Sequence, residues 1–218
     1  MHMTNKTKNV YAFIDSQNLN VGVQKFGWKM DWQKFRRWLG EQYGVTKAFM
    51  FIGYVPEFEA LYEQMHESGY MVVLKPTFDM TKPLTEAEQA VVEQVRESTG
   101  GGTHAPTSAS SSAQPQPEEK KPVKGNIDAD LVLWAMKEMS NYDKMILVSG
   151  DGDFFSLVEY MEQKKRLLHI LTPSFQYSQL FNRFEEYIVR LDQHKRELRY
   201  YDRRSARSRS EVRKKQEK

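Results

Sequence analysis

Short apolar runs alternate with segments of helical spacing along most of this chain, and that alternation limits the fold more than any other feature. The runs are VYAFI (10–14), VTKAFMFIGY (45–54), YMVVL (70–74), KMILV (144–148), RLLHIL (166–171) and YIVRL (187–191). They lack the strict apolar–polar alternation of a half-exposed strand, so they predict strands covered on both faces. Between them, apolar residues recur at three- and four-residue spacing. Residues 31–39 open with Asp31 as an N-cap candidate, and Gly44 ends that helix. Phe58, Leu61, Tyr62 and Met65 form a second helical stripe, stopped at Gly69. Further helices are expected over 127–139, 153–163 and 174–185. Strand–helix alternation of this kind predicts a three-layer α/β/α sandwich with a central, mostly parallel sheet.

A low-complexity stretch interrupts the pattern. Residues 99–122 (TGGGTHAPTSASSSAQPQPEEKKP) carry no aromatic and no aliphatic larger than Ala, the composition of a flexible linker. Neither flank is a whole domain, so 99–123 reads as an insertion in one domain spanning 9–192. Thr85 and Glu88 form a capping-box pattern for a helix to about Arg96, just before it.

Charge divides the chain differently. The net charge is +3, but residues 195–218 hold 11 Lys and Arg against 4 acids. The rest holds 21 against 25. A basic tail with almost no aliphatic residues buries too little to fold alone. Either it is a solvated end or it is a phosphate-binding arm, with Arg199, Arg203, Arg204, Arg207, Arg209, Arg213, Lys214 and Lys215 as the contacts. Tyr200 and Tyr201 are then candidates for stacking on bases. The chain has no cysteine. That excludes disulfides, thiolate metal sites and a thiol nucleophile. No apolar run has the length of a membrane span, and residues 1–9 are too polar for a signal peptide, so a cytoplasmic protein without a membrane partner is expected.

Parallel sheets bind ligands beyond the carboxyl ends of their strands. Asp15 follows the first strand, within FIDSQNL; Asp151 and Asp153 follow the fourth, within SGDGDF; Asp128 and Asp130 open the helix before it, within KGNIDAD. Each has an ordinary alternative as a helix cap, and so has Asn18. Asp151 and Asp153 crowd negative charge on one turn, which needs a cation or donors to offset it. Asp128 and Asp130 lie about 200° apart on a helix, so one cleft accepts one of them; Asp128 shares the apolar face with Val132, Ala135 and Met139. Oxygen ligands of this kind suit Mg²⁺ or Mn²⁺, ions that normally serve phosphate-bearing substrates. There is no glycine-rich Walker loop, and the five histidines (His2, His66, His104, His169, His194) show no ligand spacing.

Together, VYAFIDSQNL, KGNIDADLVLWAM and KMILVSGDGDFFSLVEYM resemble the NYN domain, the LabA-like branch of the PIN-like nuclease superfamily. The resemblance spans 9–192, apart from the insertion. It implies a metal-dependent endoribonuclease using one or two Mg²⁺ or Mn²⁺ ions, whose products carry a 5′-phosphate and a 3′-hydroxyl. It implies Asp15, Asp128, Asp151 and Asp153 as catalytic, metal-binding acids. Asn18, Ser149, Lys124 and Asp130 are supporting residues, with single-stranded or structured RNA as partner. The long insertion departs from the compact form of this domain. A catalytically weak RNA-binding module is the alternative, and a small-molecule phosphatase a third reading. A monomer and a homodimer are equally compatible with the sequence.

Overall fold

The computed structural model describes residues 9–54, 58–76 and 127–201. Its elements in chain order are β1 (Val10–Asp15), α1 (Ser16–Lys25), α2 (Trp32–Tyr43), β2 (Val45–Tyr54), α3 (Glu59–Glu67) and β3 (Met71–Pro76). They continue with α4 (Ile127–Lys137), β4 (Lys144–Val148), α5 (Phe155–Gln163), β5 (Leu167–Thr172), β6 (Ile188–Arg190) and α6 (Lys195–Leu198). Short 3₁₀ segments occupy Glu138–Ser140, Gly152–Phe154, Gln179–Tyr187 and Leu191–His194. The expected insertion at 99–123, the capping-box helix at 85–96 and Lys124 lie outside the described residues.

The six strands form one sheet in the order β3-β2-β1-β4-β5-β6, and every neighbouring pair is parallel. The sequence predicts a mostly parallel sheet; in the described residues it is wholly so. β1 is buried along its full length, as its unbroken apolar run requires. One apolar layer packs Leu19, Val23, Phe35, Leu39 and Met65 from α1, α2 and α3 against the sheet. The opposite layer packs Leu131, Ala135, Val158, Met161 and Phe181 against the other face. These are the three layers expected.

Local chemistry explains the boundaries. Asp31 caps α2 by accepting from the Lys34 N–H at 3.1 Å. Gly44 ends α2 at φ 66°, a left-handed conformation open to glycine at little steric cost. One expectation fails. Residues 174–185 are not an α-helix: 174–178 are irregular, and Gln179–Tyr187 is a 3₁₀ run broken at Phe184. Phe181 and Phe184 are both buried there, so their three-residue spacing meets the core in the tighter 3₁₀ winding.

The tail also begins differently from its composition. Leu198 is fully buried, the Leu198 carbonyl accepts from Asp31 N–H at 2.8 Å, and Met30 and Arg199 form an antiparallel bridge. Residues 195–201 are therefore part of the fold. Among the described residues, no helix is long and apolar enough to cross a membrane.

Candidate active site

Strand order reverses between β1 and β4. Two chain segments leave the sheet there side by side, α1 after β1 and the SGDGD turn after β4, at the place where open parallel sheets bind ligands. Ile14 pairs with Val148, so Asp15 and Ser149 are the next residues on adjacent strands.

Both Asp15 oxygens are engaged. Oδ1 accepts from the Asn18 N–H at 3.0 Å and caps α1; Oδ2 accepts from the Ser149 hydroxyl at 3.2 Å. The capping role and the site role thus belong to the same carboxylate. Ser149, fully buried, also accepts from the Asp151 N–H at 3.1 Å. The Asn18 side-chain oxygen accepts from the Gly150 N–H at 2.9 Å. Asp151 Oδ1 accepts from the Asp153 N–H at 3.0 Å and caps the 3₁₀ turn. Apart from the α1 cap, these links tie the end of β1 to the end of β4 or stiffen the turn itself.

Asp15 is buried, and loss of hydration raises its carboxyl above the ordinary carboxylate range. The charges of Asp128 and Asp151 push the same way. The Asn18 N–H and the Ser149 hydroxyl pull against them. Three chain-distant acids therefore share one electrostatic neighbourhood. Asp153 is exposed at the head of the turn. Asp130 points elsewhere on α4, to an ion pair with Lys75 at 2.9 Å. Lys75 is the last residue but one of β3, at the same carboxyl end of the sheet. The sequence reading passes over it, although it follows an apolar run directly, as Asp15 does.

Among the described residues, no group of three or more His, Asp or Glu side chains stands arranged to hold a metal ion. The acids feel one another without converging on one point. Their donor chemistry nonetheless fits a hard cation: carboxylate oxygens whose mutual repulsion such an ion would relieve. Two of the described histidines sit in aromatic contacts. His169 packs on Tyr43 and His194 on Trp38.

The turn's glycines serve close approach. Gly150 and Gly152 have no positive φ. A Cβ on Gly152 would collide with the Ser178 hydroxyl, and one on Gly150 would lie 3.3 Å from Tyr177 Cβ. The β5–β6 connection lies directly on the turn, with the Ser178 N–H donating to the Gly150 carbonyl at 2.9 Å. Of the proposed phosphate-binding residues, Arg199 is packed on the body: its guanidinium lies over Tyr201, and its carbonyl accepts from Lys34 Nζ. Arg203, Arg204, Arg207, Arg209, Arg213, Lys214 and Lys215 lie outside the described residues, as does Lys124.

The NYN domain profile matches residues 9–192, most of the chain. The chain belongs to the NYN domain family. This places it in the PIN-like nuclease superfamily, whose members are generally ribonucleases. No curated protein matches it. Among solved structures, a protein of unknown function from Vibrio parahaemolyticus is similar to this NYN domain at a TM-score of 0.57 and 18% identity. The match covers 90% of this chain and 99% of the other, and at that identity it shows the fold alone.

Proposed function

We propose that this NYN domain is a metal-dependent endoribonuclease, with Asp15, Asp128, Asp151 and Asp153 as the acids of its centre. The observation that carries the reading is the buried Asp15 in the field of Asp128 and Asp151, at the point where strand order reverses. Mg²⁺ or Mn²⁺, when bound, would activate a water and offset charge on the attacked phosphodiester. The chain's own residues prepare for this. Ser149 holds Asp15 and the Asp151 backbone together, so the two acids keep one spacing. Asn18 fixes Gly150 and hence the path of the turn. Hydrogen bonds hold both oxygens of Asp15 and one of Asp151. The Lys75–Asp130 pair places a cation on the same rim, where it can meet a substrate phosphate.

The test is incubation of the full chain with single-stranded and structured RNA plus Mn²⁺. Wild type should cleave, EDTA should stop it, and Asp151→Asn should lose more than about 10-fold in rate, since even the partner that orients a metal ligand is worth about 10–100-fold. Cleavage undiminished in Asp151→Asn rejects the site. RNA binding without any metal-dependent cleavage supports the catalytically weak binding module instead.

A further inference from the structure

Asp15, Ser149, Thr172 and Arg190 stand in one row across four adjacent strands, as the register of Ile14 with Val148, Val148 with Leu171 and Thr172 with Arg190 requires. At about 4.8 Å per strand, Arg190 is roughly 14 Å from Asp15 along the rim. The loop that follows Thr172 runs back over the acid turn, where Pro173 meets Gly22 of α1 and Tyr177 meets Gly150. Its tip is Phe175, which is 55% exposed.

Single exposed apolar side chains are common. Phe175 differs in how firmly it is held. The Phe26 ring packs against it edge-on at 5.4 Å, and the Arg190 guanidinium lies 5.5 Å from its centroid. Arg190 is itself fixed by Asp192, at 3.1 and 2.6 Å. The loop is braced by Thr172 Oγ1 donating to the Ser174 carbonyl, and by the Gln176 N–H donating to Ser174 Oγ. Holding a large ring rigid in water gains little for the fold. It does prepare a surface for a flat partner, because the entropy of ordering the ring is already spent before binding.

We propose that Phe175 is a base-stacking platform for single-stranded RNA, placed beside the acid cluster. The inference rests on the ribonuclease reading for the identity of the ligand. Bases of a duplex stack on one another, so an isolated ring reaches a base only in an unpaired strand. The exposed apolar area is a few side chains rather than a continuous patch, which suits one stacked base better than a protein surface; the guanidinium against the ring is balanced by Asp192 and adds no net charge. The platform requires that an RNA held at the acids leave towards β5 and β6.

The experiment measures anisotropy of labelled single-stranded RNA on the full chain in EDTA, so that binding is read without cleavage. Phe175→Ala should weaken binding about 5- to 100-fold, the range of one lost base stack. Phe175→Trp should restore it. The loss should persist at high salt, where phosphate contacts fade. It should vanish for RNA made abasic throughout and for a fully paired duplex. Unchanged single-strand affinity in Phe175→Ala overturns the platform. So does an equal loss for all three nucleic acids, or a change of oligomeric state with RNA affinity intact, which assigns the ring to a second copy. Failure of the ribonuclease reading looks different: no cleavage with Mn²⁺, but Phe175-dependent binding retained.

Discussion

Asp15 carries two duties that pull in opposite directions. As an N-cap it favours ionisation, and as a buried group beside Asp128 and Asp151 it resists it. Resistance wins, so its folded carboxyl titrates above the unfolded value. Between the two values the folded chain binds the extra proton, and stability falls as pH rises through that window. The stabilising contribution is complete below the unfolded carboxylate range and gone once pH exceeds the folded one. Asp15→Asn should therefore unfold at a higher temperature than wild type at pH 7, with the advantage shrinking towards pH 4, while cleavage is lost. Thermal scans across that range check it, and a wild-type advantage at pH 7 contradicts it. Ser149 acts through the acids it holds. Ser149→Ala should lower cleavage about 10–100-fold, and its apparent Mn²⁺ affinity should fall with the rate. A loss of rate with unchanged Mn²⁺ dependence would argue against a positioning role.

At the scale of elements, the connection between β5 and β6 matters most. It packs on Gly150 and Gly152 so closely that neither tolerates a side chain without movement. Gly152→Ala should destabilise the chain by about 1–3 kcal/mol through overpacking. Ser178→Gly in the same chain should recover part of the loss, because Ser178 supplies the nearest atoms. Chemical denaturation of the single and double variants decides this. The backbone at these glycines is ordinary, so what they supply is room for the loop rather than a left-handed turn. Nothing within SGDGDF announces the loop that lies on it, since the two segments are brought together only by the pairing of β4 with β5. The 3₁₀ run at Gln179–Tyr187 was hidden for a similar reason. Apolar residues three and four apart read the same for both helix types, and the position of the core selects between them.

At the scale of the whole molecule, the basic tail starts inside the fold. Residues 195–201 are packed on α2 and the loop before it, with Leu198 fully buried. Leu198→Ala should cost about 2–5 kcal/mol, as large-to-small core changes do. Deleting 202–218 should leave the melting temperature unchanged. It should also flatten the salt dependence of RNA binding by about 0.7 in log–log slope for each phosphate contact removed from a single strand. Salt titrations of the truncated and full chains compare the two slopes directly. Equal slopes would remove the tail from RNA binding.

Much was determined by the sequence alone. Six apolar runs and the segments between them dictate a two-sided sheet, because side chains that are apolar on both sides of a strand are buried only where both faces of the sheet are covered. The carboxyl-end rule then picks out Asp15 and the Ser149–Asp153 turn, and helix geometry separates Asp128 from Asp130, which does turn away to Lys75. Local pattern carries these readings because each depends on neighbours a few residues away. Tertiary structure alone decided that Ser149 bridges Asp15 and Asp151, that Lys75 meets Asp130, that Phe175 packs against Phe26 and Arg190, and that the basic tail begins inside the fold. Those contacts join residues far apart in the chain. Their partners are chosen by strand order and packing, which no local spacing encodes.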